Sequence, residues 1–237
     1  MRYPVTYNSA RISEIFSSLQ GEGTHLGERH LFLRFEACNI HCEYCDELGK
    51  PGFDFDLDST IESLKRLEED YGPHPFVSLT GGEPLLYLPF LKPLLPRLKE
   101  IGFGVYLETN GILWKALEEV ILWTDVIAMD VKPASVTKER SFIKEHEAFL
   151  KIAVQKETLI KMICSKEIDL NEFKELCSMI ARIAPRVPLV LQPMSAEVEG
   201  HDDPELMRLL GELQTLGLGM LKDVRIVPRL HKILKIR

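Results

Sequence analysis

No run of about 18 consecutive apolar residues, the length a membrane-crossing helix needs, occurs anywhere in the chain, so no contact with a membrane is expected. The opening stretch MRYPVTYNSARISEIF lacks the uncharged apolar core of a secretory signal, and a cytoplasmic setting is expected. Positive charge is in deficit: 29 Lys and Arg stand against 36 Asp and Glu, a formal net charge of -7. That balance disfavours a non-specific grip on nucleic acid and points to a small-molecule substrate. Basic residues do gather at Arg225, Arg229, Lys232, Lys235 and Arg237, but apolar residues interleave with them, as in a solvated strand edge or a local anion site. No Gly/Ser-rich linker, composition shift, internal repeat or low-complexity tract divides the 237 residues, and a single domain spanning 1–237 is expected. At 45% apolar and 27% charged, the chain is too hydrophobic for general disorder. Cysteine is scarce and odd in number, five in all, with three packed into residues 38–45. This spacing argues against a disulfide framework and for metal binding in a reducing compartment.

What is present is an alternation of β-branched or aromatic runs with helix-like stripes, the pattern of a mainly parallel α/β sheet. Strands are expected near His30–Glu36, Phe76–Thr80, Gly104–Glu108, Val126–Val131, Leu159–Cys164 and Pro188–Gln192, with Asp223–Val227 as an edge strand. Between them, Ser59 with Glu62 reads as a capping box before Ile61, Leu64, Leu67 and Tyr71, and Asp169 with Glu172 repeats it before Phe173, Leu176, Cys177 and Ile180. Asp203-Pro204 opens a further helix, with Gly217 as its stop. In such sheets ligands bind where the loops after the strands converge. The polar motifs fall there: Cys38 onward, Gly81-Gly82-Glu83-Pro84, Glu108-Thr109-Asn110-Gly111, Asp130-Val131-Lys132-Pro133 and Gln192-Pro193-Met194.

Cys38, Cys42 and Cys45 form CxxxCxxC, so three thiolates can each hold one iron of a cubane cluster while the fourth iron stays open to a chelator. A zinc site completed by His41 is the rival. Structural zinc normally takes its ligands as two separated pairs, and adjacent His41 and Cys42 make an awkward tetrahedron. Cys164 and Cys177 read as buried small hydrophobes. The Gly-Gly-Glu turn exposes backbone beside a carboxylate, suited to the ammonium of an amino acid, although Pro84 also fits a plain strand-to-helix turn. Phe16–Gly23 has no strand–glycine–helix grammar for a dinucleotide. It reads instead as a loop in which the Gln20 amide and Glu22 carboxylate can match the donor and acceptor edge of a heterocycle.

CxxxCxxC with an aromatic, Tyr44, before the last cysteine resembles the radical S-adenosylmethionine (SAM) superfamily. That resemblance implies a partial, open (β/α) barrel and a 4Fe-4S cluster whose open iron takes SAM, the source of a deoxyadenosyl radical. It places Tyr44, Gly81, Gly82, Glu83, Thr109, Asn110, Lys132 and Gln192 around SAM. LQGEG, Arg34 four residues before the first cysteine, Asp46 after the last, GGEP, ETNG, D-x-KP and a late P-x-x-H together resemble the 7-carboxy-7-deazaguanine synthase family over nearly the whole chain. This narrower likeness implies a 6-carboxytetrahydropterin substrate, magnesium, a homodimer and an electron donor such as flavodoxin or ferredoxin. It implies a substrate loop at 16–27, a cluster loop at 38–45 and a substrate-proximal segment at 225–237, with Gln20, Gly21, Glu22, Arg34, His231 and Arg237 as substrate residues. Glu47 departs from the threonine common at its position; as a hard oxygen ligand it can keep, rebuild or lose the magnesium site. Two other readings compete: an activase that takes hydrogen from a glycine on a partner protein, and a non-catalytic zinc module.

Overall fold

The computed structural model describes residues 9–47, 49–194 and 203–236, which contain nine strands and eight α-helices. The strands are β1 (Ser9–Leu19), β2 (Arg29–Phe35), β3 (Phe53–Asp56), β4 (Phe76–Gly81), β5 (Gly104–Thr109), β6 (Val126–Asp130), β7 (Glu157–Cys164), β8 (Leu189–Pro193) and β9 (Val224–Ile226). The helices are α1 (Leu57–Tyr71), α2 (Leu88–Glu100), α3 (Trp114–Val120), α4 (Ala134–Thr137), α5 (Ile143–Ala153), α6 (Leu170–Ile183), α7 (Pro204–Leu218) and α8 (Leu230–Leu234). One sheet joins all the strands in the order β3-β1-β2-β4-β5-β6-β7-β8-β9. From β2 to β9 every pairing is parallel, and only β1 runs antiparallel, to β2 on one side and β3 on the other. The sheet is therefore mainly parallel and open, as the sequence led us to expect. No helix among the described residues is long and apolar enough to cross a membrane.

Each expected strand is found within one or two residues of its predicted bounds. Two others, β1 and β3, were not legible. The alternation of β1 is broken by a register shift between Ile12 and Glu14, which hides its period. As a result Phe16–Leu19, expected to start a loop, instead finish β1: Phe16 lies opposite Phe32 and stacks on it at 5.0 Å, and Leu19 lies opposite Arg29.

Helix caps correct the sequence in detail. Helix α1 is capped by Asp56, whose carboxylate accepts from the Ser59 N–H at 2.7 Å while Ser59 Oγ accepts from the Asp56 N–H at 3.1 Å, so Ser59 is the third residue of the helix and not its cap. Tyr71, in the last turn of α1, is exposed. Asp169 caps α6, but the Glu172 carboxylate turns away to accept from the N–H groups of Ala134 and Ser135, at 2.6 and 3.0 Å. Asp203 caps α7 with Pro204 first, and the helix passes Gly217 by one residue.

Side chains alternate across the parallel strands, and the two faces differ. Leu31, Leu33, Val77, Leu79, Val105, Leu107, Ile127, Met129, Ile160, Met162, Leu189 and Leu191 point outward into one core with the apolar stripes of the helices. On the inner face, Tyr106, Val126, Ala128, Leu159 and Val190 make a small apolar layer. Two residues further along four of these strands, the same face carries Glu108, Asp130, Lys161 and Gln192. A polar layer thus lies directly above an apolar one at the carboxyl ends of the strands.

Leu33, fully buried in the outer core, tests this packing. Leu33→Ala should lower unfolding free energy by about 2–5 kcal/mol in urea titrations; a loss under about 0.5 kcal/mol, typical of a surface site, would contradict the assignment.

Candidate active site

The chain leaves β2 and turns at once into the cysteine loop. Cys42 is buried, Cys38 half-buried and Cys45 exposed. The Gly81-Gly82 turn packs backbone to backbone against this exit: Gly82 N–H donates to Phe35 O at 2.8 Å and Glu83 N–H to Ala37 O at 2.7 Å. Gly81 has φ +104, and a Cβ on Gly82 would stand 2.1 Å from Ala37 O, so only glycine permits the approach.

Glu83 is fully buried and does not line the cavity; its carboxylate accepts from Thr109 Oγ1 at 2.9 and 3.0 Å and from the N–H groups of Asn110 and Leu85 at 2.8 and 3.0 Å. Burial pushes this carboxyl up to about 7 against the pull of those donors. Its bonds fix the ETNG loop, from which Asn110 Nδ2 donates to Asn39 Oδ1 at 2.7 Å and reaches Cys38 Sγ at 3.8 Å.

A cavity of about 180 Å³ opens here, lined by Cys38, Cys42, Tyr44, Cys45, Gly81, Gly82, Thr109, Asn110, Asp130, Lys132 and Gln192 among others. Its lining contains three cysteines and no histidine; His41, the fourth ligand that zinc would need, is exposed and lies outside it. Three thiols around open space suit a cluster with one iron free. Burial raises the bare Cys38 thiol to about 11 and also raises Cys42, so ligation at neutral pH displaces protons. Asp130 Oδ1 and Gln192 Oε1 are buried in the same lining without a hydrogen-bond partner, acceptors placed for a ligand that brings donors. The residues present therefore fit both a cluster and an amino-acid chelator.

Lys132 pairs with Asp130 at 2.7 Å and stands 5.5 Å over the Tyr44 ring. Cys164 and Cys177 are fully buried in the outer core, away from the cavity.

A second cavity of about 100 Å³ adjoins the first and shares Glu22, Arg34, Asp46, Glu47, Thr80, Glu108 and Arg229 with it; Gln20, Gly21 and His231 line only this second one. Its floor is the β1–β2 loop, which enters the mouth of the sheet. Gly23, with φ +70, packs where a Cβ would meet Leu159 at 2.6 Å. The Gln20 amide is engaged at both ends, donating to Glu108 Oε1 at 2.9 Å and accepting from Glu22 N–H at 3.1 Å. Glu22 pairs with Lys161 Nζ and accepts from Gln192 Nε2 at 3.2 Å. Burial alone would raise the Glu22 carboxyl, but Lys161, with His231 and Arg229 behind it, holds it well below the usual range. The segment after β9 closes the other side. Leu230 N–H donates to Gly21 O at 2.9 Å, and a Cβ on Gly21 would meet His231 Nδ1 at 2.1 Å.

Arg34 and Glu47, read in the sequence as an anion ligand and a metal ligand, are paired with each other at 2.9 Å, and Glu47 Oε2 is left buried without a partner. Arg229 pairs with Asp46 at 2.8 Å. Arg237 lies outside the described residues. Sequence reasoning missed Lys161 and Thr80 and saw Arg229 only as one of several basic residues near the end; for Lys161 the signal was a lone cation inside the apolar run Thr158–Cys164, which a buried strand tolerates only with a partner.

Residues 33–152 match the profile of the radical SAM superfamily. The chain is 35% identical to a 7-carboxy-7-deazaguanine synthase of Geobacter sulfurreducens over 94% of its length and 96% of that protein's. It is 32% identical to the protein of that name in Methanopyrus kandleri, over 94% and 92% of the two chains. The fold superposes on the crystal structure of QueE from Escherichia coli with a TM-score of 0.63, at 20% identity, covering 94% of this chain and 95% of that one.

The Glu22–Lys161 pair makes a pH prediction. A carboxylate held low in the folded state stabilises it above the ordinary value of 4.5, and that contribution is lost as pH falls from there toward the folded value. The stability gap between the parent chain and Glu22→Gln should thus be widest near neutrality and shrink below pH 4.5 in urea titrations. Lys161→Met, which strands a buried carboxylate, should cost about 3–5 kcal/mol at neutral pH. A gap independent of pH would show that the pair contributes nothing.

Proposed function

The chain belongs to the 7-carboxy-7-deazaguanine synthase family of the radical SAM superfamily, and we propose that it contracts the ring of 6-carboxy-5,6,7,8-tetrahydropterin to 7-carboxy-7-deazaguanine with loss of ammonia. The product serves deazapurine biosynthesis of the queuosine or archaeosine type. One observation carries this reading beyond family membership: the cysteine-lined cavity and the polar cavity over the β1–β2 loop share a wall, so a radical source and a small polar substrate can meet.

Cys38, Cys42 and Cys45 would hold the 4Fe-4S cluster and leave one iron for SAM. When bound, cluster and SAM supply a carbon-centred radical able to take hydrogen from C6 of the pterin. Tyr44 would face the adenine. The backbone of Gly81 and Gly82 would take the ammonium, while Glu83 keeps Thr109 and Asn110 in place. Lys132 and Gln192 complete that side, with the free oxygens of Asp130 and Gln192 accepting from the ligand. Gln20, Gly21 and Glu22 would present the floor under the pterin, and Arg34 and His231 would meet its carboxylate. Arg237, outside the described residues, joins this group through the family likeness alone. Glu47 Oε2, buried and unpartnered, is an oxygen suited to magnesium.

We read the chain as a single domain, supported by its one continuous sheet, with loop 16–27, loop 38–45 and segment 225–237 as its functional parts. The reading includes a flavodoxin- or ferredoxin-type donor, a homodimer and a cytoplasmic setting, on the strength of the family likeness. The relatives' names favour the small pterin over a glycine on a partner protein.

Anaerobic reconstitution with iron, sulfide, reductant, SAM and the carboxypterin should yield the deazapurine, with magnesium raising the rate. Cys38→Ala should lose the cluster absorption and all SAM cleavage, whereas Glu22→Ala should keep the absorption and raise KM. SAM cleavage without deazapurine would overturn the substrate assignment.

A further inference from the structure

The β1–β2 loop and the start of β2 carry a second cluster of ligand-type side chains, apart from the cysteine loop. His30 lies in register with Phe76, the first residue of β4, and Glu157 is the first residue of β7, so this group sits at the amino ends of the strands.

The motif is H-x-x-E-x-H: His25, Glu28 and His30. Glu28 Oε2 stands 2.8 Å from His25 Nδ1 and 3.5 Å from His30 Nε2, and one ligand atom from each residue lies within 4.8 Å of the others. The 3.5 Å separation is long for a hydrogen bond. It matches the roughly 3.3–3.5 Å between ligand atoms around a tetrahedral ion with bonds of about 2.0–2.1 Å, whereas the 2.8 Å contact between Glu28 and His25 is a hydrogen bond that has to open by about 0.5 Å to admit the ion.

The outer atoms are arranged to the same end. His30 uses its other ring nitrogen, Nδ1, on Ser78 Oγ at 2.7 Å, and His25 uses Nε2 on Glu157 Oε1 at 3.0 Å. Such partners orient metal-bound imidazoles and select the ring nitrogen that is left for the ion. The rings are further fixed by aromatic contacts: His25 stands edge-on to Phe76 and to Tyr106, at 5.6 and 5.3 Å, and His30 tilts against Phe76 at 5.2 Å. His30 is fully buried while the Glu28 side chain is 45% exposed, so the cluster is rigid on its inner side and open to solvent on the other. A plain hydrogen-bond network also places both imidazoles on Glu28; the metal reading adds an account of the outer partners, which leave Nδ1 of His25 and Nε2 of His30 facing the same oxygen.

We propose that His25, Glu28 and His30 bind a divalent transition-metal ion of the zinc class, with water at the fourth position and with Ser78 and Glu157 as orienting partners. Two imidazoles and one carboxylate suit such an ion better than magnesium or calcium, which favour all-oxygen sites. The ion would staple the loop that carries Gln20 and Glu22 to the start of β2 and, through Glu157, to β7.

The test uses the chain with its cluster loaded, so that the cysteines are occupied. Zinc chloride, or cobalt chloride as a paramagnetic probe, is added to the oxidised, diamagnetic cluster form and excess removed by dialysis. One zinc per chain beyond the cluster iron is expected, with a high-spin cobalt(II) paramagnetic resonance signal of nitrogen and oxygen ligation and a raised thermal midpoint. Glu157→Gln should weaken zinc binding by about 10–100-fold, and His25→Gln and Glu28→Gln should abolish it. Glu28 is exposed enough that Glu28→Gln leaves the fold intact, as circular dichroism would verify. Absence of retained zinc, or retention undiminished in Glu28→Gln and His25→Gln, overturns the proposal.

Discussion

The pairing of Glu22 with Lys161 is the constraint on which the active end of the fold rests. Lys161 is buried and Glu22 half-buried at the cavity wall, so the lysine charge in particular depends on its partner. The loop between two antiparallel strands reaches into the mouth of a parallel sheet, and its polar atoms must find partners there. Glu22 finds Lys161 and Gln192, Gln20 finds Glu108, and Gly23 leaves room for Leu159. Each of these partners projects inward from a strand whose alternate residues build the outer core. The loop is therefore tied to the sheet, and the floor of the second cavity is set by the same strands that shape the first.

Charges around the two cavities cancel in pairs: Arg34 with Glu47, Lys132 with Asp130, Lys161 with Glu22, Arg229 with Asp46. Glu108, which lines both cavities, is the charge left over, and it accepts hydrogen bonds from Gln20 and Thr80 in place of a cation. A charged ligand entering elsewhere exchanges partners with an existing pair. Prepaid orientation of this kind favours ligands whose charges match the pairs in position as well as in sign. Glu47 is inside this scheme, since it already holds Arg34 and keeps one oxygen free.

Much of this was legible in the sequence. The cysteine loop is contiguous, so its metal-ligand spacing stood out in the sequence, and the family resemblance chose the cluster over zinc. The parallel strands are apolar on both faces and stand out as runs. The inner polar layer was only half visible: Glu108, Asp130 and Gln192 fell inside recognisable motifs, but Lys161 stands in mid-strand, and one sequence does not say which pleat faces a site. β1 was hidden by its bulge. Arg34 and Glu47 were read as two ligands because their contact crosses from a strand to a loop, a relation that no local pattern encodes. Glu83 was read as facing the ligand, and burial has turned it toward its own neighbours.

The contact between Gly21 and His231 joins the first hairpin of the chain to the segment after its last strand. The second cavity is therefore closed by two segments that lie at opposite ends of the sequence, so in a chain synthesised from its amino end the floor exists before the wall that faces it.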